Sequence, residues 1–302
     1  MEFPHLERLS AADCRRLLPS APVGRLAVPT PHFPTLEPVS FAIVEGELVV
    51  AVRAGSAGDA LAGGTPVAFE VDVLDHELRC GWSVVVAGPV EDLDADVAEL
   101  VKPALAPWPA APGDRLLLVR SERITGQRIV SRPLTPPAEP PGQPPAPPAA
   151  LGAPVVTRRD IGSDEALALL RRGPQRVGRL ALCLAGEPFV SPLNYAVDGD
   201  AIVFRTQVGT KLSGITRSLA TFEVDHIDAA GQGWTVTFEG LAQEVLDADP
   251  ASLRARIDAL ALETWPGGHR PHVVRITPFA VRGTAWAAAE VAIGAPGRVT
   301  AV

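Results

Sequence analysis

The sequence predicts a mainly β fold in which one chain carries two tandem copies of a small β-barrel with short helices. Three segments recur in the same order: VGRLA at 23–27 and 177–181, FEVD at 69–72 and 222–225, and Gly-Trp at 81–82 and 233–234. Their offsets are 154, 153 and 152 residues. Matches in a fixed order at a nearly constant offset indicate a duplication. Apolar runs without strand–helix alternation favour a barrel over a parallel sheet.

A proline-rich segment, PLTPPAEPPGQPPAPPAALGAP at 133–154, separates the two copies. Proline removes backbone donors and favours extended polyproline II, so we expect a solvated linker here. A ligand for proline-reading domains is the alternative use of such a segment. The chain therefore divides into an N-terminal barrel at 1–132 (copy one), a linker at 133–154 and a C-terminal barrel at 155–302 (copy two).

Each copy is predicted to open with a helix. In copy one, Ser10 followed by Asp13 three residues later resembles a capping box, and in copy two Ser163 precedes two acidic residues that suit a first helical turn. A longer helix is predicted to begin at Asp249 and Pro250 and to continue through LRARIDALALETW. Its counterpart in copy one is 94–106.

Six strands are predicted in copy two, because runs of β-branched, Leu and Phe residues there are bounded by turn residues. They lie near 177–184, 188–197, 201–207, 219–226, 233–246 and 272–285. Several strands of the antiparallel type with few helices are typical of a small barrel.

The composition limits the classes of partner. The formal charge of -8 argues against a broad basic face, and so against nucleic acid or an acidic membrane, while one local basic pocket for a small anion stays compatible with it. Cys14, Cys80 and Cys183 form no CxxC pair, which favours a reducing cytoplasm over a disulfide framework. MEFPHLERLS lacks the pattern of a signal peptide, and the apolar runs are too short to span a bilayer. We expect a soluble cytoplasmic protein.

The stretch GDAIVFRTQVGTKL, residues 199–212, ends a predicted strand with Gly209, Thr210 and Lys211. A glycine permits close approach of a phosphate, amide groups at a helix start favour an anion, and a lysine adds a point charge. A plain turn, in which Thr210 caps a helix and Lys211 is solvated, explains the same residues. The residues alone leave both interpretations open.

The longer run SPLNYAVDGDAIVFRTQVGTKL, followed by LATFEVD and GWTVTFEG, resembles the pyridoxamine 5′-phosphate oxidase-like family of FMN-binding split barrels. The resemblance covers most of 163–285, and a degraded version covers about 8–130. It implies two tandem split β-barrels that form an intramolecular pseudo-dimer. Because family members are usually homodimers with flavin between two barrels, the chain is expected to be a monomeric pseudo-dimer or a homodimer.

The resemblance also implies a set of cofactor-binding residues in copy two. In the family, a strand-end threonine and a lysine after small residues hold the FMN phosphate, and the isoalloxazine ring lies along the backbone of a neighbouring strand. The phosphate roles fall on Thr206, Thr210 and Lys211, with Arg205 as a neighbour that assists. The ring strand matches Pro192, Leu193, Asn194 and Tyr195.

Copy one departs from the family pattern at the phosphate segment. Gly46 and Gly199 align without a gap up to Phe69 and Phe222. This alignment places Arg53, Ala57 and Gly58 at the positions of Thr206, Thr210 and Lys211, and Asp59 follows at once. A carboxylate beside a dianionic phosphate is repulsive. Copy one is therefore expected to be a structural partner that does not bind the phosphate.

The resemblance implies an FMN-dependent oxidoreductase that acts on a small molecule, and no catalytic residue follows from the sequence. Related split barrels bind F420 or haem, and a non-enzymatic flavin-binding or sensing protein is the other alternative. Pyridoxamine phosphate oxidases carry a basic, histidine-containing segment near the C-terminus, whereas this chain reads RGTAWAAAEVAIG there. Vitamin B6 oxidation is therefore not the expected reaction.

Two histidines and two arginines are further candidates for a site. His269 and His272 form HRPH, which without further ligands makes a poor zinc site, so no metal is expected. Arg25 and Arg179 stand at the same place in the two VGRLA repeats, and their presence in both copies favours a structural role over a flavin contact.

Overall fold

The computed structural model of the chain describes residues 5–21, 23–75, 79–105, 113–130, 156–172, 177–207, 215, 218–227, 232–260, 262, 264 and 270–288. The linker at 133–154 lies outside these residues. The strands within 5–130 form one sheet and those within 156–288 form another.

Copy one contains eight strands and two helices among the described residues. The strands are β1 His5–Arg8, β2 Gly24–Val28, β3 Thr35–Val44, β4 Glu47–Val52, β5 Pro66–Asp75, β6 Cys80–Asp92, β7 Arg115–Val119 and β8 Arg123–Val130. The helices are α1 Ala11–Leu17 and α2 Ala95–Val101, and 3-10 turns follow them at Leu18–Ser20 and Lys102–Ala104.

Copy two repeats this order of elements. Its strands are β9 Val156–Ile161, β10 Val177–Leu184, β11 Glu187–Asp198, β12 Ala201–Thr206, β13 Ser218–Ile227, β14 Gly233–Glu244 and β15 His272–Ala288. Its helices are α3 Ser163–Arg172 and α4 Ala251–Ala259. The six strands predicted for copy two are confirmed within a few residues.

The two sheets have the same strand order, which confirms the fold as two tandem split barrels. The first runs β1-β8-β6-β5-β2-β3-β4-β7 and closes through β6–β7, and the second runs β9-β15-β14-β13-β10-β11-β12 and closes through β12–β15. The long strand β15 pairs with β12, as β7 does with β4, and also with β14 and β9, as β8 does with β6 and β1. The registers agree as well, because Leu26 pairs with Phe69 in copy one and Leu180 pairs with Phe222 in copy two.

The predicted helices are present in the structure, but their predicted ends are less accurate. The Ser10 hydroxyl accepts from the Asp13 amide at 3.1 Å, which confirms the cap of α1. Helix α4 ends at Ala259, well short of the predicted 265. The sequence analysis also missed β1 and β9, whose exposed charged residues carry no strand alternation.

Each barrel core is built around a phenylalanine that needs a glycine beside it. A Cβ atom at Gly24 would lie 2.1 Å from the Phe69 ring, and one at Gly178 would lie 2.3 Å from the Phe222 ring. Both rings are fully buried. The glycine of VGRLA therefore recurs because the ring of FEVD packs directly on its backbone.

The two barrels pack against each other through the strands that carry the repeats. Strand β11 of copy two packs on β5 and β2 of copy one, and β13 packs on β3. Small buried side chains from both copies form one apolar cluster, namely Ala27, Leu36, Ala68, Ala87, Ala181 and Val190. Small residues allow the two backbones to approach closely, so the duplicated barrels form a pseudo-dimer within one chain.

A buried ionic network crosses this interface and explains why VGRLA and FEVD occur in pairs. Arg25 of copy one donates to Asp225 of copy two through Nε and Nη2, at 2.9 and 2.8 Å. Arg179 of copy two donates to Asp72 of copy one, at 3.1 and 2.8 Å. Each copy thus supplies an arginine to the other copy's aspartate in a two-pronged contact. The structural role expected for both arginines is confirmed.

Two buried glutamates, Glu70 and Glu223, complete the network. Two guanidinium groups face four carboxyl groups there, so full ionisation would leave two excess negative charges in a dry interface. Burial, followed by the Asp225 carboxylate, raises the pKa of Glu223 to about 7. Burial and Asp72 raise the pKa of Glu70 well above its ordinary value. The glutamates therefore retain protons that they would lose in water.

Candidate functional site

A cleft with a volume of about 680 Å³ lies between the two barrels. One side is β11 of copy two with the preceding hairpin, from Leu184 to Pro192. The other side is copy one, through β1, β5, β6 and β8. This volume is in the range of cofactor sites, which run from about 300 to 1,000 Å³.

The strand predicted to carry the isoalloxazine ring lines this cleft and its extension. Pro192 borders the main cleft, and Pro192, Leu193 and Asn194 border a smaller pocket of about 60 Å³ that continues from it. Tyr195 lies instead in the core of the barrel, where its ring meets that of Phe222 edge-on with centroids 5.4 Å apart. Pro192 therefore borders the main cleft, Leu193 and Asn194 border the smaller pocket, and Tyr195 supports the strand from behind.

Copy one presents a polar wall to this strand. Arg123, Thr125 and Gln127 are alternate residues of β8 and so share one face of the strand, which lines the cleft. Arg8 pairs with Gln127 across β1 and β8 and lines the cleft too. Ser83 of β6 borders both the main cleft and the smaller pocket. The wall thus offers two cations and several hydrogen-bonding groups.

The smaller pocket is lined by residues of both copies. Trp82 of copy one and Arg270 of copy two both line it. Burial lowers the pKa of Arg270. Arg270 lies two residues before His272, whose backbone pairs with that of Thr206. The predicted strand-end threonine therefore lies at the same end of the cleft as Arg270.

The residues predicted to hold the phosphate are placed only in part. Thr206 is buried at the end of β12, opposite His272, whose Nδ1 lies 2.6 Å from a carboxylate oxygen of Glu244. Arg205, on the other face of β12, lies 3.7 Å from Asp258 of α4. Thr210 and Lys211 fall in 208–214, outside the described residues.

In copy one, the aligned phosphate segment bonds to side chains of its own barrel. The Ala57 amide donates to the Glu37 carboxylate at 2.9 Å, and the Gly55 amide donates to Asp59 at 2.9 Å. A Cβ atom at Gly58 would lie 2.7 Å from Val52 Cγ1, so this position does not admit a larger residue without a shift. The lysine position of copy two is thus a packed glycine in copy one.

The described residues contain no candidate metal site and no candidate membrane-spanning helix. Among those residues, no group of three or more His, Cys, Asp or Glu side chains could hold a metal ion. None of the helices described is both long enough and apolar enough to cross a membrane.

A model of the family described as pyridoxamine 5'-phosphate oxidase matches the chain in two segments, residues 10–128 and 162–285. The chain belongs to this family. The first matched segment runs from α1 to β8 and the second from α3 to β15, so the family pattern occurs once in each barrel.

Similar proteins are about as long as one copy. Uncharacterized protein Rv0080 of Mycobacterium tuberculosis is 33% identical over 137 residues, which are 42% of this chain and 88% of the relative. The FAD binding protein from Mycobacterium smegmatis is 28% identical with a TM-score of 0.34, over 41% of this chain and 96% of that one. A conserved protein of unknown function from Corynebacterium diphtheriae is 26% identical with a TM-score of 0.37, over 43% and 98%.

Sequence reasoning missed the wall that copy one contributes to the cleft. Trp82 packs against the core of copy one and also lines the smaller pocket. Arg8, Arg123 and Gln127 belong to no motif. Their neighbour Gly126 packs against the Cys14 sulfur, where a Cβ atom would lie at 2.6 Å, which fixes β8 on α1 and aims its alternate residues at the cleft.

Proposed function

We propose that the chain binds one FMN in the cleft between its two barrels and acts as a flavin-dependent oxidoreductase on a small molecule. The observation that carries this proposal is the position of Pro192, Leu193 and Asn194. The family's ring strand borders a cleft whose opposite wall is the other barrel of the same chain. In a family of homodimers that wall comes from a second molecule.

The chemistry of the cleft suits a flavin phosphate at the β12 end. Thr206 and Arg270 lie at that end, and Thr210 and Lys211 follow Thr206 in the sequence. A hydroxyl, a guanidinium and an ammonium are the donors that a phosphate dianion prefers. The larger part of the cleft, between β11 and β8, is then left for the ring and the substrate.

Within this proposal, a bound flavin supplies the hydride or electron transfer, and the protein supplies binding, orientation and exclusion of water. The backbone of β11 supports one face of the ring. Ser83 and Gln127 of copy one offer hydrogen bonds near the middle of the cleft, where both pockets meet. Arg8 and Arg123, at the exposed wall, are placed to meet the substrate.

The chain offers a matched pair of probes for the phosphate site, because it has two lysines, Lys102 and Lys211. Lys102 forms an ion pair with Glu99 next to α2, in copy one. We expect FMN to slow acetylation of Lys211 and to leave Lys102 unchanged, as quantified by mass spectrometry. Riboflavin lacks the phosphate and is expected to protect Lys211 much less. Equal acetylation of Lys211 with and without FMN would contradict the proposed phosphate site.

The absorption spectrum of the purified protein tests the class of cofactor, because oxidised flavin, F420 and haem have separable bands. The proposal predicts the flavin bands. Reduction of the bound flavin by a nicotinamide cofactor, followed by its reoxidation with a small-molecule acceptor, tests the oxidoreductase activity. A bound flavin that no nicotinamide cofactor reduces would favour the binding or sensing alternative.

A further inference from the structure

In the segment of copy one that aligns with the phosphate site, backbone amides donate hydrogen bonds to carboxylates of the same barrel. The Ala57 amide donates to Glu37 and the Gly55 amide donates to Asp59, both at 2.9 Å. The second Glu37 oxygen lies 3.2 Å from the place of a Cβ atom at Gly58. Two carboxylates thus approach the short loop on which a phosphate would be bound.

Glu37 lies at the position of copy one that Ser191 occupies in copy two. It pairs with Leu26 of VGRLA in copy one, whereas in copy two Ser191 pairs with the equivalent Leu180. Ser191 lines the open cleft. The strand that would carry a flavin ring in copy one therefore bears a carboxylate, and this carboxylate reaches the aligned phosphate loop.

A second contact lies at the mouth of the copy-one site. Val28 pairs with Thr35, and the equivalent Leu182 pairs with Phe189, so Phe33 of copy one corresponds to Glu187 of copy two. Glu187 lines the open cleft. Phe33 instead meets the ring of Phe279 from copy two edge-on, with centroids 6.1 Å apart.

We propose that the copy-one loop is a formed phosphate site that the chain fills with its own Glu37 and Asp59 carboxylates. The inference rests on the proposed flavin site of copy two, of which this is the pseudo-symmetric counterpart. Attached carboxylates compete at a high effective concentration, and their charge also repels a dianion. Copy one therefore binds no flavin because its anion site is internally occupied.

Removing both carboxylates tests this inference. In the double variant Glu37→Ser with Asp59→Ser, we expect a second FMN per chain. Its affinity should be about one to two decades below that of the first, because no lysine follows the loop. The amide signals of Gly55 and Ala57 in ¹H–¹⁵N spectra should shift with FMN in this variant and stay unchanged in the wild type.

Two matched variants separate occupation from charge and from unrelated effects. Glu37→Gln with Asp59→Asn removes the charges but keeps acceptor oxygens for the amides, so we expect one FMN per chain. Glu99→Gln removes an exposed carboxylate of α2 and should change nothing. Near-UV circular dichroism establishes that each variant is folded before it is titrated.

The outcomes distinguish the inference from the proposed function. One FMN in the wild type and two in the serine variant support both. One FMN in both proteins, with unshifted Gly55 and Ala57 signals, overturns the inference and leaves the copy-two site intact. Two FMN in the neutral amide variant would overturn it as well, because repulsion alone would then close the site. A wild type that binds no FMN overturns the proposed function.

Discussion

Replacing Glu223 by Gln should remove one part of the pH dependence of the chain's stability, and Glu70, whose pKa burial also raises, should retain another part. Glu223 is fully buried at the interface of the barrels, facing Asp225 on its own strand and the guanidinium groups of Arg179 and Arg25. Thr235 donates to one of its oxygens at 2.9 Å, and the other has no hydrogen-bond partner among the described residues. A glutamine has the same shape and carries no charge at any pH.

The magnitude follows from the pKa of Glu223, which burial and Asp225 raise from 4.5 to about 7. Between these values the folded state binds a proton that the unfolded state has lost, so the free energy of unfolding falls as the pH rises. The difference corresponds to about 3 kcal/mol at most. Asp72 has the opposite effect. Burial alone would raise the pKa of Asp72, but Arg179 and Arg25 lower this pKa from 3.8 to about 2. The stability that ionised Asp72 contributes to the fold is therefore lost as the pH falls through that range.

Urea unfolding of the wild type and of Glu223→Gln at pH values from 5 to 8.5 measures this effect. We expect the wild type to lose stability across the range and the variant to lose less, by up to about 3 kcal/mol. Glu239→Gln is the control, because Glu239 lies on the neighbouring strand β14 and forms an ion pair with Arg282 nearer the surface. Parallel pH profiles for the wild type and Glu223→Gln would refute the claim that Glu223 is protonated in the interface.

Three further outcomes are expected. Gly178→Ala should destabilise the fold by about 1–3 kcal/mol, because the added Cβ atom would overlap the Phe222 ring. Gly162→Ala is the control, because the space around Gly162 is open. Equal melting temperatures for the two variants would contradict the packing of Phe222 on Gly178. Trp82→Phe should reduce the quenching of tryptophan fluorescence by FMN, and full quenching in that variant would place the flavin elsewhere. Lys211→Ala should weaken FMN binding by about one to two decades in a fluorescence titration, and unchanged affinity would exclude a phosphate contact.

Gly58→Ala is not a suitable control for the Lys211 variant. The added Cβ atom would lie 2.7 Å from the buried Val52 side chain. A loss of stability could then be mistaken for an effect on binding. Lys102→Ala is the better control, because it removes the chain's other lysine from an exposed site in copy one.

The pairing of the barrels was predictable because it is encoded in contacts that repeat. VGRLA places a glycine against the Phe of FEVD and an arginine against the other copy's Asp, so both motifs had to survive in both copies. The strand order follows from the same registers. A duplicated motif of this kind is visible in one sequence.

The cleft was predictable on one side only. Pro192, Leu193 and Asn194 belong to a run that resembles the family, whereas the opposing wall consists of alternate residues on β8, roughly 70 residues away in the chain and without a motif. Asp59 was recognised as repulsive, but the contact of Glu37 with Ala57 was not foreseen, because it joins residues 20 positions apart through a loop. Contacts of this kind depend on where a loop folds back, which residue patterns do not specify.

The ratio of bound flavin to protein chain tests the central claim most directly. Two barrels in one chain offer two pseudo-equivalent positions for a flavin. One is the open cleft lined by Pro192 and Gln127, and at the other the Glu37 carboxylate accepts from the Ala57 amide. The chain is saturated with FMN, freed of excess ligand and denatured, and the released flavin is measured against protein concentration. We expect a ratio of one flavin per chain, and a ratio near zero or two would contradict a single flavin site.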